Sequence, residues 1–361
     1  MDKKKNVYLL GLTSFFNDAS SEGVYSLLPL LLKDPAMVGV VGGIFNGLSY
    51  MIKPFSGYWA DRAGKAKPFI IFGYALSALS RTLISVASKL LVPLLIVLDR
   101  IGKGIRDSPR DALLASVKDR GWAFGLHRAL DTGGAVLGVI LALVFSSRLD
   151  VRSSILLLGL LGFATLLPLI FVEDEERKTA KKSFVGAVKL SLQELGTFSL
   201  VVLFLGMSLI SPAIFIDKAV EVVGKGGIAF YLAFNIVYMV SAYLLGKKSD
   251  RWGRRPLLYL GALLLVVSLL LISQSSILAV FLSFVTFGVA YGSLLPTIFA
   301  AASDRAGKEK ATELGVVQFL LGLSILVSSS VAGMLVKLWG SGALALFAMP
   351  ALVAVILLKL T

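Results

Sequence analysis

Apolar runs of about 20 residues recur along this chain from end to end, separated by short polar stretches rich in Lys and Arg. A helix of that length rises about 1.5 Å per residue and crosses the ~30 Å hydrocarbon core of a bilayer. The composition agrees: 57% of the 361 residues are hydrophobic and 16% are charged, whereas a soluble domain carries about 25% charged residues. Hydropathy length and loop charge place twelve spans at 6–32, 36–60, 68–87, 91–115, 121–146, 152–172, 197–217, 227–246, 256–273, 277–301, 311–337 and 341–360. The class predicted is an all-α membrane protein.

The loops between these runs alternate. DRAGKAKP, KDRG, EDEERKTAKKS, GKKSDRWGRRP and SDRAGKEK are basic, while KDPA, SK, SSRLDVRSS, DKAVEVVGKGG, SQSS and WGSG are much less so. The positive-inside rule assigns the first set, and with it both termini, to the cytoplasm. A net charge of +14 would point a soluble protein towards nucleic acid. Here the charge lies in membrane loops, so the partner predicted is the lipid bilayer and not nucleic acid. The start, MDKKKNVYLLGLTSFFNDASSEG, is basic and then apolar, but Asp18 and Glu22 interrupt it and no small-residue cleavage site follows. It reads as the first span. The longest polar stretch, EDEERKTAKKSFVGAVKLSLQEL, follows the sixth span. It divides the chain into a bundle over 1–172, a cytoplasmic linker over 173–196 with room for a short interfacial helix, and a second bundle over 197–361.

The two halves echo each other. Gly57, Asp61, Arg62, Gly64 and Lys65, between spans two and three, match Gly246, Asp250, Arg251, Gly253 and Arg254, between spans eight and nine, at one constant offset. At these residues the chain resembles the major facilitator superfamily, whose signature after the second helix runs Gly-x-x-x-Asp-Arg-x-Gly-Arg/Lys. The resemblance extends over the whole chain. It implies two pseudo-symmetric six-helix bundles, a monomer in the cell membrane, and a loop latch that breaks and reforms as the bundles rock. Span five adds Gly125, Gly134 and Gly138 at the spacings of a motif that antiporters of the family carry, although Val139 stands where that motif has proline. Independently of the family, Gly134, Gly138 and Ala142 form a small-residue face that admits close helix packing. SFFNDASSEGVYSLLPLLL and DRIGKGIRDSPRDALL are similar to a prokaryotic branch of the superfamily whose substrates are largely unassigned.

One span is charged through half its length. In LDRIGKGIRDSPRDALL, residues 98–114, Asp99, Lys103, Arg106 and Arg110 make one helical stripe. Arg100, Asp107 and Asp111 make another, about 100° away. Reading this stretch as a loop would leave LVPLLIV, which is too short to cross. The charges therefore lie within the helix, where each isolated one costs at least about 2.5–3.5 kcal/mol. Asp99–Lys103 and Lys103–Asp107 are expected i,i+4 pairs, and Gly102, Gly104 and Pro109 are expected to loosen or kink the helix. Compensating groups stand on neighbouring spans: Asp18 and Glu22 on span one, Lys53 on span two, Arg81 on span three, His127, Arg128 and Asp131 on span five.

From this pattern the cavity and coupling residues expected are Asp18, Glu22, Arg100, Lys103 and Asp131, with Arg106, Asp107, Arg110 and Asp111 as inner-gate ion pairs. In the family, helices one, four and five line the cavity of the first half, and antiporters often keep an essential arginine near the middle of helix four, where Arg100 stands. The reading is a secondary transporter working by alternating access, with proton-coupled efflux of a small molecule. Two alternatives stand beside it: a divalent-metal carrier using Asn17, Asp18 and Glu22, and a non-transporting sensor or assembly protein. No cofactor and no enzyme activity are expected. The chain has no cysteine and one histidine, His127, so neither thiol chemistry nor a multi-histidine metal site can be built, and its glycine-rich segments lack the context of a nucleotide-binding loop.

Overall fold

The protein's computed structural model describes residues 3–53, 55, 65–117, 120–174, 193, 195–305 and 310–360. Among them there is helix and no strand. Lipid supplies no hydrogen bonds to the backbone, and a helix closes its own. The first half contributes α1 (Lys3–Leu32), α2 (Pro35–Lys53), α3 (Lys67–Ile84), α4 (Val92–Leu114), α5 (Arg120–Arg148) and α6 (Val151–Ile170). The second contributes α7 (Thr197–Ser208), α8 (Pro212–Val223), α9 (Ile228–Trp252), α10 (Arg254–Ile272), α11 (Ile277–Arg305), α12 (Lys310–Trp339) and α13 (Ser341–Leu357). Seven stretches of the described residues are long and apolar enough to cross a membrane. α1, α3 and α4 are not among them, and they carry the ion network of Asp99, Arg81, Arg100 and Arg106 and the carboxyl of Asp18 described below.

Local chemistry fixes the helix ends. Asp34 caps α2 by accepting from the amides of Ala36 (2.9 Å) and Met37 (3.4 Å), with Pro35 in the first turn. Asp150 caps α6 in the same way through Arg152 and Ser153. These caps lie outside the spanning stretches, and both carboxylates are held below their ordinary range. For Asp34 the main cause is the hydrogen bond from Lys337, and for Asp150 the hydroxyl of Ser153.

Three expectations change. The stretch 197–217 is two helices, broken at Leu209–Ser211. Pro212 cannot continue a helix from its N-terminal side, Ser211 caps α8 through the Ala213 amide (3.2 Å), and the Ser211 amide donates to Ser329 Oγ (2.9 Å). All of DKAVEVVGKGG, taken as a loop, lies in α8 and a following 3-10 turn over Gly224–Gly227. The second copy of the repeated motif is helical through Trp252. Its turn is the single residue Gly253, whose φ of 85° suits only glycine. Gly246 lies inside α9, so it does not turn the chain. Gly57, Asp61, Arg62 and Gly64 lie outside the described residues, as do 175–192 of the linker and the side chain of Asp250.

The chain forms two compact units: residues 1–31 with 52–181, and residues 32–51 with 182–361. Residues 32–51, placed in the first bundle from the sequence, group with the second unit. Glycines account for it: Gly39 lies against the backbone of Gly333, Gly43 against that of Leu326, and Gly47 against that of Gly322. These contacts seat α2 along α12. In unit 1 a buried apolar cluster closes one end of the bundle, drawing Leu10 from α1, Tyr74 from α3, Leu113 from α4, Ala123 from α5 and Leu169 from α6.

Candidate functional site

Two glycine crossings build the centre of unit 1. On α5, a side chain at Gly134 would collide with the carbonyl oxygen of Phe15, and one at Gly138 with that of Ala19. α1 and α5 therefore meet backbone to backbone. Gly125 has nothing within 4 Å, so of the three motif glycines only Gly134 and Gly138 make this contact. The second crossing joins α3 to α4, where Gly73 and Gly102 each approach the other's carbonyl. Gly104 takes the side chain of Ile52. These glycines are contact points, and α4 runs as one helix through Gly102, Gly104 and Pro109.

The α3–α4 crossing buries a linked set of ions. Asp99 is 0% exposed, and Arg81, Arg100 and Arg106 are each 1% exposed. Asp99 Oδ2 accepts from Arg100 Nε at 3.0 Å and from Nη2 of the same residue, while Oδ1 lies 3.4 Å from Arg81 Nε. Arg81 also donates to the Asn17 carbonyl (2.8 Å) and to Asn17 Oδ1 (2.6 Å), and Arg100 donates to Ser21 Oγ (3.0 Å). Arg106 turns to α3, donating to Ser77 Oγ at 2.7 Å with its guanidinium 4.2 Å from the Tyr74 ring centre. Ser77 Oγ in turn donates to the Asp99 carbonyl (2.9 Å). Such burial is tolerable because each charge meets an opposite charge, a dipole or a ring face.

The α1–α5 crossing brings carboxyls together. Ser14 Oγ donates to Asp131 Oδ1 at 2.6 Å, Arg128 to Asp131 Oδ2 at 3.3 Å, and Asn17 Nδ2 to Asp18 Oδ1 at 2.7 Å. The side chains of Asp18 and Asp131 come within hydrogen-bonding reach of each other, and Lys103 acts on both carboxyls electrostatically. Glu22 stands one turn further along α1, half-buried. His127 is 6% exposed and its Nε2 has no partner.

Of the expected coupling residues, Asp18, Lys103 and Asp131 thus converge, with Glu22 beside them. Arg100 bonds Asp99 and Ser21. The i,i+4 pairs expected for Lys103 are replaced, since Asp99 pairs with arginines and Asp107 with Lys53 (3.0 Å) and Arg110 (3.1 Å). Arg110 also holds Asp111 at 2.8 Å. Arg106, grouped with these as a gate residue, belongs instead to the α3–α4 set. In the metal-carrier reading Asn17 supplies an oxygen ligand, but Asn17 Oδ1 already accepts from Arg81. Sequence reasoning missed the organising role of Arg81, Ser77 and Ser21. Arg81 offered the one signal, as the sole charge deep in span three.

Unit 2 has another character. Phe215 stacks on Phe287 with ring centres 4.2 Å apart, and Phe234 meets Tyr231, Tyr238, Phe287 and Tyr291. Its buried cation, Lys218, is 4% exposed and pairs with Glu221 at 3.0 Å. Asn235 donates to the Tyr231 carbonyl within α9. Arg254, from the repeated motif, pairs with Asp304 at 2.8 Å.

Comparison with known proteins places the chain. The sequence profile of the Major Facilitator Superfamily matches residues 10–224 and 196–361. An uncharacterized MFS-type transporter of Methanocaldococcus jannaschii is 35% identical over 357 residues, covering 92% of this chain and 89% of that one. The crystal structure of a mutant of the nucleoside transporter NupG superposes with a TM-score of 0.83 at 13% identity, covering 99% of both chains. A POT family transporter in complex with 5-aminolevulinic acid superposes with a TM-score of 0.80 at 14% identity, covering 98% of this chain and 94% of that one. The profile match and the archaeal relative carry the family assignment, and the two structures carry the fold: this chain is a membrane-embedded, multi-pass transporter protein of the major facilitator superfamily.

Proposed function

We propose that the protein is a secondary active transporter with twelve spans and both termini in the cytoplasm of a prokaryotic cell. It exports a small molecule in exchange for protons by alternating access of its two bundles. The observation that carries the coupling is the meeting of Asp18 with Asp131 across the α1–α5 crossing. Two carboxyls in contact share a proton more readily than they hold two charges. Protonation therefore changes the local charge by one at the point where two helices touch. Glu22 extends the acidic face by one turn. Lys103 is the cation placed to sense the change or to receive an anionic group. Arg100 acts through Asp99 and Ser21, holding α4 to α1. The aromatic wall of unit 2 offers an apolar surface to the cargo.

The test is reconstitution in proteoliposomes loaded with a pH-sensitive dye. A panel of nucleosides, small peptides, organic anions and cationic dyes is applied under an imposed pH gradient. A transported compound moves protons in the wild type, and Asp18→Asn or Glu22→Gln abolishes that movement. Unchanged gradient-driven flux in both variants removes the coupling assignment.

A further inference from the structure

Beside the first turn of α3 and the chain leaving α6, unit 1 carries a groove of about 850 Å³. Lys65, Lys67 and Asp174 line it together with the apolar side chains of Ile71, Phe72 and Ala75. The polar end is a built structure. Asp174 accepts from the amides of Ala66 (3.0 Å) and Lys67 (3.1 Å), so its carboxylate is spent on the start of α3. The Lys67 ammonium donates to the carbonyls of Ile170 (3.0 Å) and Val172 (2.6 Å), where α6 ends. Asp174, beyond α6, thus caps the start of α3, and Lys67 of α3 caps the end of α6 with two of its three N–H groups; with Lys65 exposed beside it, a cationic surplus remains. The remaining wall is apolar and open: Phe72 is 57% exposed and Ile71 38%.

We propose that this groove binds one anionic phospholipid, its phosphate at Lys65 and Lys67 and one acyl chain along Ile71 and Phe72. Charge complementarity selects the headgroup, because a zwitterionic lipid brings its own ammonium to the same lysines. The apolar wall selects a lipid over a free anion, which would use only the basic end. Basic pockets beside membrane helices recognise lipid headgroups by this combination.

The experiment uses the full-length protein in detergent micelles, observed by native mass spectrometry. Three probes are titrated separately: dioleoyl phosphatidylglycerol, dioleoyl phosphatidylcholine and inorganic phosphate. One phosphatidylglycerol is expected to remain bound under conditions that strip phosphatidylcholine and phosphate. Lys65→Gln is expected to weaken it about fivefold, the effect of one lysine at an anionic surface. Phe72→Ala weakens dioleoyl but not dihexanoyl phosphatidylglycerol. Both side chains are exposed, so the variants keep the wild-type melting temperature without lipid. Equal retention of both lipids, retention of phosphate alone, or unchanged binding by Lys65→Gln each overturns the proposal. It rests on the membrane reading and not on the coupling mechanism: lipid binding without proton flux, or flux without binding, separates the two.

Discussion

The two units of this chain solve the same solvent problem with opposite materials. Unit 1 buries Asp99 among Arg81, Arg100 and Arg106 at the crossing of α3 with α4. Unit 2 buries stacked rings, Phe215, Phe234 and Phe287, across α8, α9 and α11. An ion network is directional: each member has one partner geometry, and losing a member strands the others in a low dielectric. A ring cluster holds by area and shape, and it repacks at modest cost. Unit 1 is therefore rigid where it is charged, and unit 2 is the more forgiving half.

The largest effect expected follows from breaking that network without changing its shape. Asp99→Asn leaves two guanidiniums without their shared anion and should cost about 3–5 kcal/mol, read as a collapse in folded yield or a large fall in melting temperature. A smaller loss comes from separating α1 and α5. Gly138→Leu drives a side chain into the Ala19 carbonyl and should cost about 1–3 kcal/mol, with proton-coupled flux lost as Asp18 and Asp131 part. Gly246→Ala in unit 2 is its control, because the nearest atom to a new Cβ is that of Pro296 at 3.9 Å. No loss is expected there, and alanine in the helix interior should raise the melting temperature by the equivalent of about 0.5–1 kcal/mol. Phe287→Leu should cost no more than ~1.5 kcal/mol, and a cost equal to that of Asp99→Asn would erase the contrast between the units.

The smallest effect is a pH dependence at the edge of unit 2, where Lys337 Nζ lies 2.7 Å from Asp34 Oδ2. The Asp34 carboxyl is held below its ordinary value, so its contribution is complete above the unfolded-state value of about 3.9. It is lost as the pH falls through the lower folded-state value. With both side chains partly exposed the pair is worth at most ~1 kcal/mol. Melting at pH 5 and at pH 3 should show a drop that Asp34→Asn removes in part.

Much of this was legible in the sequence. Hydropathy located the helices, and chain length forced residues 98–114 into one of them. Gly134 and Gly138 announced a close helix contact, and the positions of Asp18 and Asp131 on their helices admitted a meeting. Partnerships across the fold were not legible. Helical periodicity gives the face on which Asp99 stands, but not that Arg81 will reach it from another helix. The expected i,i+4 pairs gave way both to closer neighbours on α4, Arg100 on Asp99 and Arg110 on Asp107, and to partners from other helices, Arg81 and Lys53. The break at Leu209–Ser211 was available in principle from Ser211 followed by Pro212, a cap and a first-turn proline inside an otherwise uniform apolar run.

The fork of Arg81 has a mechanical consequence. It grips α1 through the carbonyl and amide oxygens of Asn17, while α3 and α4 are pinned to each other at Ser77 and Asp99. Three helices are thereby riveted into a single lever. α5 meets that lever through glycine contacts at Gly134 and Gly138, the bond from Ser14 to Asp131, and the edge of Trp122 on Tyr8. Slippage inside the unit is easiest along that one seam, and the acidic pair sits astride it like a ratchet tooth.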